Sequence, residues 1–493
     1  MLTSTPDLTS CLDDDVNEPM APTDSKPYTR QSEPIAGDRL LLADTASLAT
    51  SGVFWGLLST QFLGAFNDNY FKQMVLLKCT ELASSNSADL QPLAMAAFAL
   101  PFVLLSGLGG FISDRFSKRT VIILCKVLEI AVMAAALQVL LLGDISPAGQ
   151  LKLLILVLAF MGAQSAIFGP SKYGILPELF SNGKLLPVNG AIQMTTFLAI
   201  IFGMAGAGIA LDNLDNSLWF CSLIAVGIAI LGTITALLVR PTPVAEPELK
   251  LKPGNLFLPK DILLLFKNDR RLLKAILVMM LFWFIGGVAQ PAVNNLGDNV
   301  LHLNKTRTSL MAASIGVGIA IGCVVAGFAN KSGNDGARWT TRGGWMIVAS
   351  LLLITVLGSG VLGRPAESSG EVQGVLYSLI AADFMEWSLR FSMLFLGLSA
   401  GVFVIPVQVF IQQAPPAELK GRLIGAMNFI TWIGILLSAA FLGFVNIVTG
   451  SLSAADDSYQ FQYLIFLSLT LVMLPVAALY RLPEVGAASN GQN

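Results

Sequence analysis

Twelve apolar runs, each long enough to cross a bilayer, share out most of this chain and leave it few ways to fold. They begin near residues 53, 92, 120, 151, 189, 218, 275, 308, 343, 391, 423 and 460. About 20 apolar residues in helical form span the hydrocarbon, whereas a spanning strand needs only about 10. Inside a bilayer every backbone amide must find its partner within the protein, which leaves helices and closed barrels as the spanning elements. Runs of this length therefore predict an all-α membrane protein with twelve transmembrane helices. Composition agrees: 54% of residues are hydrophobic and 13% charged, against roughly a quarter charged in soluble domains.

The runs fall into two groups. Six end near Val239, and the seventh starts only after "RPTPVAEPELKLKPGNLFLPKDILLLFKNDRRLLK". This predicts a six-helix bundle over 51–240, a connector over 241–274, a second six-helix bundle over 275–482 and a short tail over 483–493. Residues 1–50 are acidic and rich in Pro and Ser, the composition of a disordered tail. They lack a basic start followed by an apolar core, so no cleavable signal peptide is expected and the first span acts as the targeting signal. Lys and Arg favour cytoplasmic loops. With the amino terminus in the cytoplasm, most of the 30 basic residues lie on that side, including Arg115, Lys118 and Arg119 and those of the connector. Both termini are therefore expected to be cytoplasmic.

The halves echo one another. "GPSKYGILPELFSNGKLLPVNGAIQMT" in the first and "IPVQVFIQQAPPAELKGRLIGAMNFIT" in the second both run from Pro through Glu-Leu to Gly-Ala and then an amide, Gln193 or Asn428. Repeated six-helix halves with a central connector are the layout of major facilitator transporters. "GFISDRFSKR", residues 110–119, resembles the signature of that superfamily between spans 2 and 3. Gly110, Asp114, Arg115, Lys118 and Arg119 fall on its positions, with Ser117 in place of the second glycine. Asp114 is expected to cap a helix start, and the basic residues to meet the cytoplasmic headgroups.

Polar residues are unevenly shared among the spans. Span 1 carries Gln61 and then "NDNYFKQ", with Asn67, Asp68, Asn69, Lys72 and Gln73; span 4 carries Gln164, Ser165 and Lys172. Gln193 lies in span 5, Gln290, Asn294, Asn295 and Asp298 in span 7, Gln408 and Gln412 in span 10, and Asn428 in span 11. Ionisable groups in hydrocarbon are costly unless paired or facing a polar cavity. Asp68, Asn67, Asn69, Lys72, Lys172, Gln193, Gln290, Asn294, Gln408 and Asn428 are thus the candidate lining of a substrate site. Asp68 and Lys72, four apart with the acid first, are placed to pair on one helix face. Read as structure alone, that pair would be scaffolding; the three amides crowding the same turns favour a cavity wall. Lys126 and Glu129 in span 3 are read as a structural ion pair.

Enzyme chemistry lacks its parts. The single histidine, His302, sits between spans and leaves no basis for a His-based metal site or a Ser-His-Asp triad. Gly183-Lys184 is followed by Leu185, so no phosphate-binding loop is present to use ATP. The five cysteines are scattered without metal or redox spacing. No cofactor is expected, and a net charge of −2 gives no reason to expect a nucleic-acid partner.

Four stretches carry a closer resemblance: "QFLGAFNDNYFKQ", "GPSKYGILPELFSNGKLLPVNGAI", "AGVFVIPVQVFIQQ" and "GRLIGAMNFITWIGILL". Together they resemble the bacterial lysophospholipid transporter family over about residues 53–480. That resemblance implies a secondary transporter in the bacterial inner membrane. It would flip lysophospholipids, chiefly lysophosphatidylethanolamine, from the outer to the cytoplasmic leaflet for re-acylation. It also implies that Asp68 of "FNDN" and Lys172 of "PSKYGIL" are the important acid and base, with membrane lipids and a separate acyltransferase as partners. Two departures stand out: Gln290 occupies the register where some members have an arginine, and residues 364–390 lengthen the link between spans 9 and 10. Two other readings stay open, a proton-coupled exporter of amphipathic drugs and a transport-dead lipid sensor.

Overall fold

A computed structural model describes residues 51–84, 89–142, 145–180, 182–214, 217–244, 248, 250, 260–329, 336–359, 384–414, 420–452 and 461–483. The predicted tail over 1–50 and the long link between spans 9 and 10 lie outside these residues, the link up to residue 383. Twelve long helices follow the twelve apolar runs. In the first half they are α1 (Gly52–Ser84), α2 (Gln91–Arg115), α3 (Lys118–Leu141), α4 (Pro147–Gly174), α5 (Asn182–Asn213) and α6 (Trp219–Leu237). In the second they are α7 (Arg270–Asn295), α8 (Lys305–Ala329), α9 (Gly336–Gly358), α10 (Phe384–Gln413), α11 (Lys420–Leu452) and α12 (Tyr463–Leu479). Ten of these are long and apolar enough to cross a membrane. Of the others, α12 is apolar but has 17 residues, and the apolar run of α1 is broken by its polar stretch.

Local chemistry fixes many of the ends. Ser146 caps α4 by accepting from the Gly149 amide at 3.2 Å, with Pro147 in the first turn, where its missing amide costs nothing. Asp269 accepts from the amides of Arg271 and Leu272 and starts α7 at Arg270, five residues before the apolar run. After Asn295 a single π-helical turn, Leu296–Val300, leads to a bend at His302, whose φ is 52°. His302 is exposed there, a loop residue as expected.

Each half has its own apolar core. One gathers Tyr70, Phe71, Met74, Met133, Leu158 and Met161 from α1, α3 and α4; the other gathers Ile276, Met279, Leu351, Met393, Phe403 and Phe466 from α7, α9, α10 and α12. Inside the second half α8 and α10 touch along glycines. A Cβ added at Gly318, Gly322, Gly397 or Gly401 would fall 2.0–2.5 Å from a backbone oxygen of the other helix. Without a hydrophobic force between helices in lipid, such close backbone approach supplies the packing. The pair forms one stiff wall.

The signature loop differs from expectation in two ways. Because α2 runs on through Arg115, Asp114 lies in its last turn, and Ser117 takes the cap position of α3. The basic residues also turn inward. Lys118 is buried and pairs with Glu178 in the short helix Leu176–Leu179 that follows α4. Arg119 donates to the carbonyl of Val239 at 2.6 Å and to that of Leu237 at 3.3 Å, filling the acceptors left at the end of α6.

Candidate functional site

The polar stretch of α1 does not act as one wall. Successive residues of a helix point about 100° apart, and each side chain meets a different neighbour. Asn67 is fully buried and donates to Glu129 at 2.8 Å. Glu129 in turn holds Lys126 at 2.6 Å, with both side chains no more than 2% exposed, so the structural pair of α3 forms as read. Asn67 therefore belongs to that buried cluster and not to a cavity lining. Asn69 donates to the carbonyl of Ala65, one turn back on its own helix, at 2.8 Å.

Asp68 and Lys72 do not pair. The carboxylate of Asp68 turns to α4, where Ser165 Oγ donates to its Oδ2 at 2.8 Å, and Ser165 Oγ lies 3.1 Å from Gln164 Oε1. The Lys72 ammonium swings the other way, 5.6 Å from the centre of the Phe98 ring on α2. The spacing put both on one face, but the two side chains lean apart, Asp68 to α4 and Lys72 to α2. Asp68 Oδ1 is buried with no hydrogen-bond partner among the described residues. Two turns along α4 from Ser165, Lys172 is also buried, its ammonium 4.4 Å from the ring centre of Tyr173. Among the described residues the site thus holds a carboxylate and two ammoniums outside any ion pair. A buried carboxylate oxygen without a donor costs several kcal/mol until something donates to it.

The remaining candidates divide. Gln290 donates to Gln73 Oε1 at 2.9 Å and lies 3.4 Å from the sulfur of Met204 on α5, bridging the halves. Asn294 is fully buried; it accepts from Gln73 at 2.8 Å and donates to Gln91 at 3.2 Å. Asn294 is part of a seal between α1, α2 and α7, not an open lining. Gln408 is half-buried and Asn428 exposed, and neither joins the Asp68 cluster. The side chain of Gln193 lies outside the described residues. Of the signature positions, Lys118 and Arg119 serve the first half as described, Arg115 lies 5.9 Å from the Phe111 ring, and Gly110 has open space where a Cβ would be.

The seal includes residues that were not picked out as a site. Gln91 donates to Asn295 at 2.8 Å; Asp89 accepts from Asn295 at 3.1 Å and from Asn446 of α11 at 2.9 Å. Thr80 donates to Asp298, which also pairs with Lys305 at 2.6 Å. Asp212, near the end of α5, accepts from the backbone amides of Lys305 and Thr306 at 3.0 and 2.6 Å, so the first half caps the start of α8 in the second. The available signal was the concentration of amides and acids near the shared ends of spans 1, 5 and 7.

These bonds tie one half to the other through helices of both, which is the architecture of rocking-bundle carriers. The model of the major facilitator superfamily matches residues 40–439. The chain belongs to the major facilitator superfamily. Among solved members of this fold, the nucleoside transporter NupG matches with a TM-score of 0.61 at 15% identity, covering 86% of this chain and 99% of that one. A D-xylose-proton symporter gives 0.60 at 15%, covering 88% and 98%. Curated relatives in the superfamily include the lysophospholipid transporter LplT of Serratia proteamaculans, 26% identical over 370 residues, 72% of this chain and 79% of the relative. The LplT of Pectobacterium carotovorum is 24% identical over 376 residues, 76% and 81%, and that of Yersinia pestis 26% over 383, 76% and 81%.

Proposed function

We propose that this facilitator is a lysophospholipid transporter that moves lysophosphatidylethanolamine or a close analogue from the outer to the cytoplasmic leaflet by alternating access. The observation that carries the reading is the unpaired set of Asp68, Lys72 and Lys172, placed beneath an inter-half seal in a chain similar to proteins named for lysophospholipid transport. A phosphoethanolamine headgroup offers an ammonium and a phosphate. Asp68 Oδ1 accepts from the first, and Lys72, one turn along α1, answers the second through a charge-assisted bond, while Lys172, two turns along α4 toward the Lys118 end, meets the phosphate on its way out. In this reading the Asp89 end faces outward and is closed, and the Lys118 end faces the cytoplasm. Re-acylation is left to a separate acyltransferase.

The test is uptake of labelled lysophosphatidylethanolamine into proteoliposomes. Asp68→Asn keeps the size of the side chain and removes the charge. It should lower transport about tenfold or more, as expected for losing a charge-assisted bond worth roughly 1.5–3 kcal/mol, with thermal stability near that of the wild type. Since no ion pair joins Asp68 to Lys72, adding Lys72→Met should not restore transport. Full uptake by Asp68→Asn would remove the acid from the site. Uptake of cationic drugs in place of lysolipid would favour the exporter reading.

A further inference from the structure

The connector between the halves ends in a helix too short to span. Lys260–Asn268 has nine residues, about 13 Å of helix. It stops at Asp269, where φ of −115° and ψ of 89° turn the chain before α7 begins. One face of it is accounted for. Ile262 and Phe266, one turn apart, are buried in the core of the second half, and Leu265 packs beside them. The helix rests there against α7 and α11. The other face is not accounted for: Leu263 and Leu264 are 49% and 59% exposed.

Exposed leucines are ordinary on a spanning helix, where lipid tails cover them. These two lie outside the spans, next to a cluster of charge. From Lys260 to Lys274 the chain carries five basic residues against two acidic. Lys267, Arg270, Arg271 and Lys274 are all exposed. Among the described residues, Arg271 alone of these has an acid within reach, Asp269 at 3.6 Å. Charged groups stay out of hydrocarbon, so the cluster marks the headgroup level at the Lys118 end of α7. Lys267 follows Leu263 and Leu264 by one turn and shares their face of the helix. Leucines and cations on one face suit a lipid surface. The leucines reach the upper acyl region while the cations meet phosphates.

We propose that the connector helix is a docking surface for anionic lipid. Leu263 and Leu264 enter the leaflet at the Lys118 end, and Lys267, Arg270, Arg271 and Lys274 bind the phosphates around them. The fit is one of charge: a zwitterionic surface offers a basic patch no net attraction, whereas an anionic one gains with each cation. The placement gives the docking a consequence. At their other ends α7 and α11 carry Asn294, Asn295 and Asn446 of the seal. A lipid-held helix across their near ends therefore bears on two of the helices that must move when the halves rock. This holds whichever substrate is carried.

The experiment varies the lipid. An environment-sensitive fluorophore is placed on Asn268→Cys, exposed and one turn from Leu264, in the full chain with its native cysteines replaced. The protein is set in nanodiscs of phosphatidylcholine alone or of an equal mixture of phosphatidylcholine and phosphatidylglycerol. Emission should shift to the blue in the anionic discs and return when salt screens the headgroups. Lys267→Gln should lower the docked-to-free ratio about fivefold, the worth of one cation near an anionic surface. Leu264→Ser should lower it about tenfold by removing apolar area from the leaflet. Both side chains are exposed, so thermal stability should match that of the parent. Equal emission in the two kinds of disc overturns the proposal. If apolar in both, the helix is held by burial alone; if aqueous in both, lipid does not cover the leucines. A shift that survives Lys267→Gln and Leu264→Ser overturns it as well, because the anionic lipid would then act elsewhere on the protein.

Discussion

The two ends of the bundle are held in opposite ways. At the Asp89 end, bonds cross between halves: Gln73 and Gln91 to Asn294 and Asn295, Thr80 to Asp298, Asp89 to Asn446, and Asp212 to the start of α8. At the Lys118 end, the described polar bonds stay within the first half, Lys118 to Glu178, Arg119 to the end of α6, and Ser117 to Thr242 at 3.2 Å. The bonds at the first end must break if the halves rock apart there, and those at the second need not. Amides suit a seal of this kind. Each can both donate and accept, so it forms without burying net charge and re-forms after opening.

The largest effect should come from breaking the seal at its centre. Asn294→Leu leaves a donor of Gln73 and an acceptor of Gln91 without their partner, at about 1–3 kcal/mol for each stranded group. Apparent stability of the sealed state should fall by roughly 2–4 kcal/mol. The readout is a reporter, Met204→Cys, in a background with the native cysteines replaced. Met204 is 6% exposed and lies beneath the seal. Labelling by an impermeant thiol reagent from the Asp89 side should rise steeply. Unchanged labelling would mean that the amide bonds do not hold this end shut.

Asp212→Ala tests the same end through a backbone contact. It removes an acceptor from two amides of α8 while Asn304, which accepts from the Arg307 amide at 2.8 Å, still caps the helix locally. A lost cap is worth about 1–2 kcal/mol. Labelling of the same reporter should therefore increase about tenfold, less than for Asn294→Leu.

How much of this was legible beforehand depends on distance along the chain. The twelve spans were readable because each apolar run is local and long, and Lys126–Glu129 because both partners sit on one helix and are buried together. Asp68 and Lys72 show where such reading stops. Spacing places them on one face of α1, but only the packing of α2 and α4 sends one to Phe98 and the other to Ser165. Asn67 is displaced from the expected wall for the same reason, being one residue and about 100° further round the helix. Asp114 was misplaced because the end of α2 depends on how far its last turn continues, which a loop motif does not encode. The amide bonds between α1, α2 and α7 join residues more than 200 positions apart, and nothing local marks Gln73 as the partner of Asn294.

The opposite end supplies the control. Lys118→Met removes the cation from Glu178, whose side chain is 19% exposed and can rehydrate, so the cost should be about 1 kcal/mol. Thermal stability should drop slightly while the Met204→Cys reporter labels as before. A rise in labelling comparable to that from Asp212→Ala would show that this pair also governs the seam, and the contrast between the ends would fail.

The smallest effect locates the lower limit of the seam. Phe102 of α2 stacks on Trp432 of α11 at 3.6 Å between ring centres, with planes 10° apart, and Phe98 meets the same indole edge-on at 6.1 Å. Asp89 and Asn446 join the same two helices at the sealed end, so α2 and α11 run together for 13 or 14 residues, about 20 Å of helix. Phe98 also lies 5.6 Å from the Lys72 ammonium, which sets the stack next to the polar site. Trp432→Phe keeps an apolar ring and loses part of the overlap, a change of about 0.5 kcal/mol at the low end for aromatic pairs. Labelling from the Asp89 side should rise no more than about twofold to threefold, because the amides above remain bonded. If it rises as far as in Asn294→Leu, the stack is the true closure and the amides merely follow it. If it does not move at all, the seal ends above Phe102 and the Lys72 side of the site is already outside the seam.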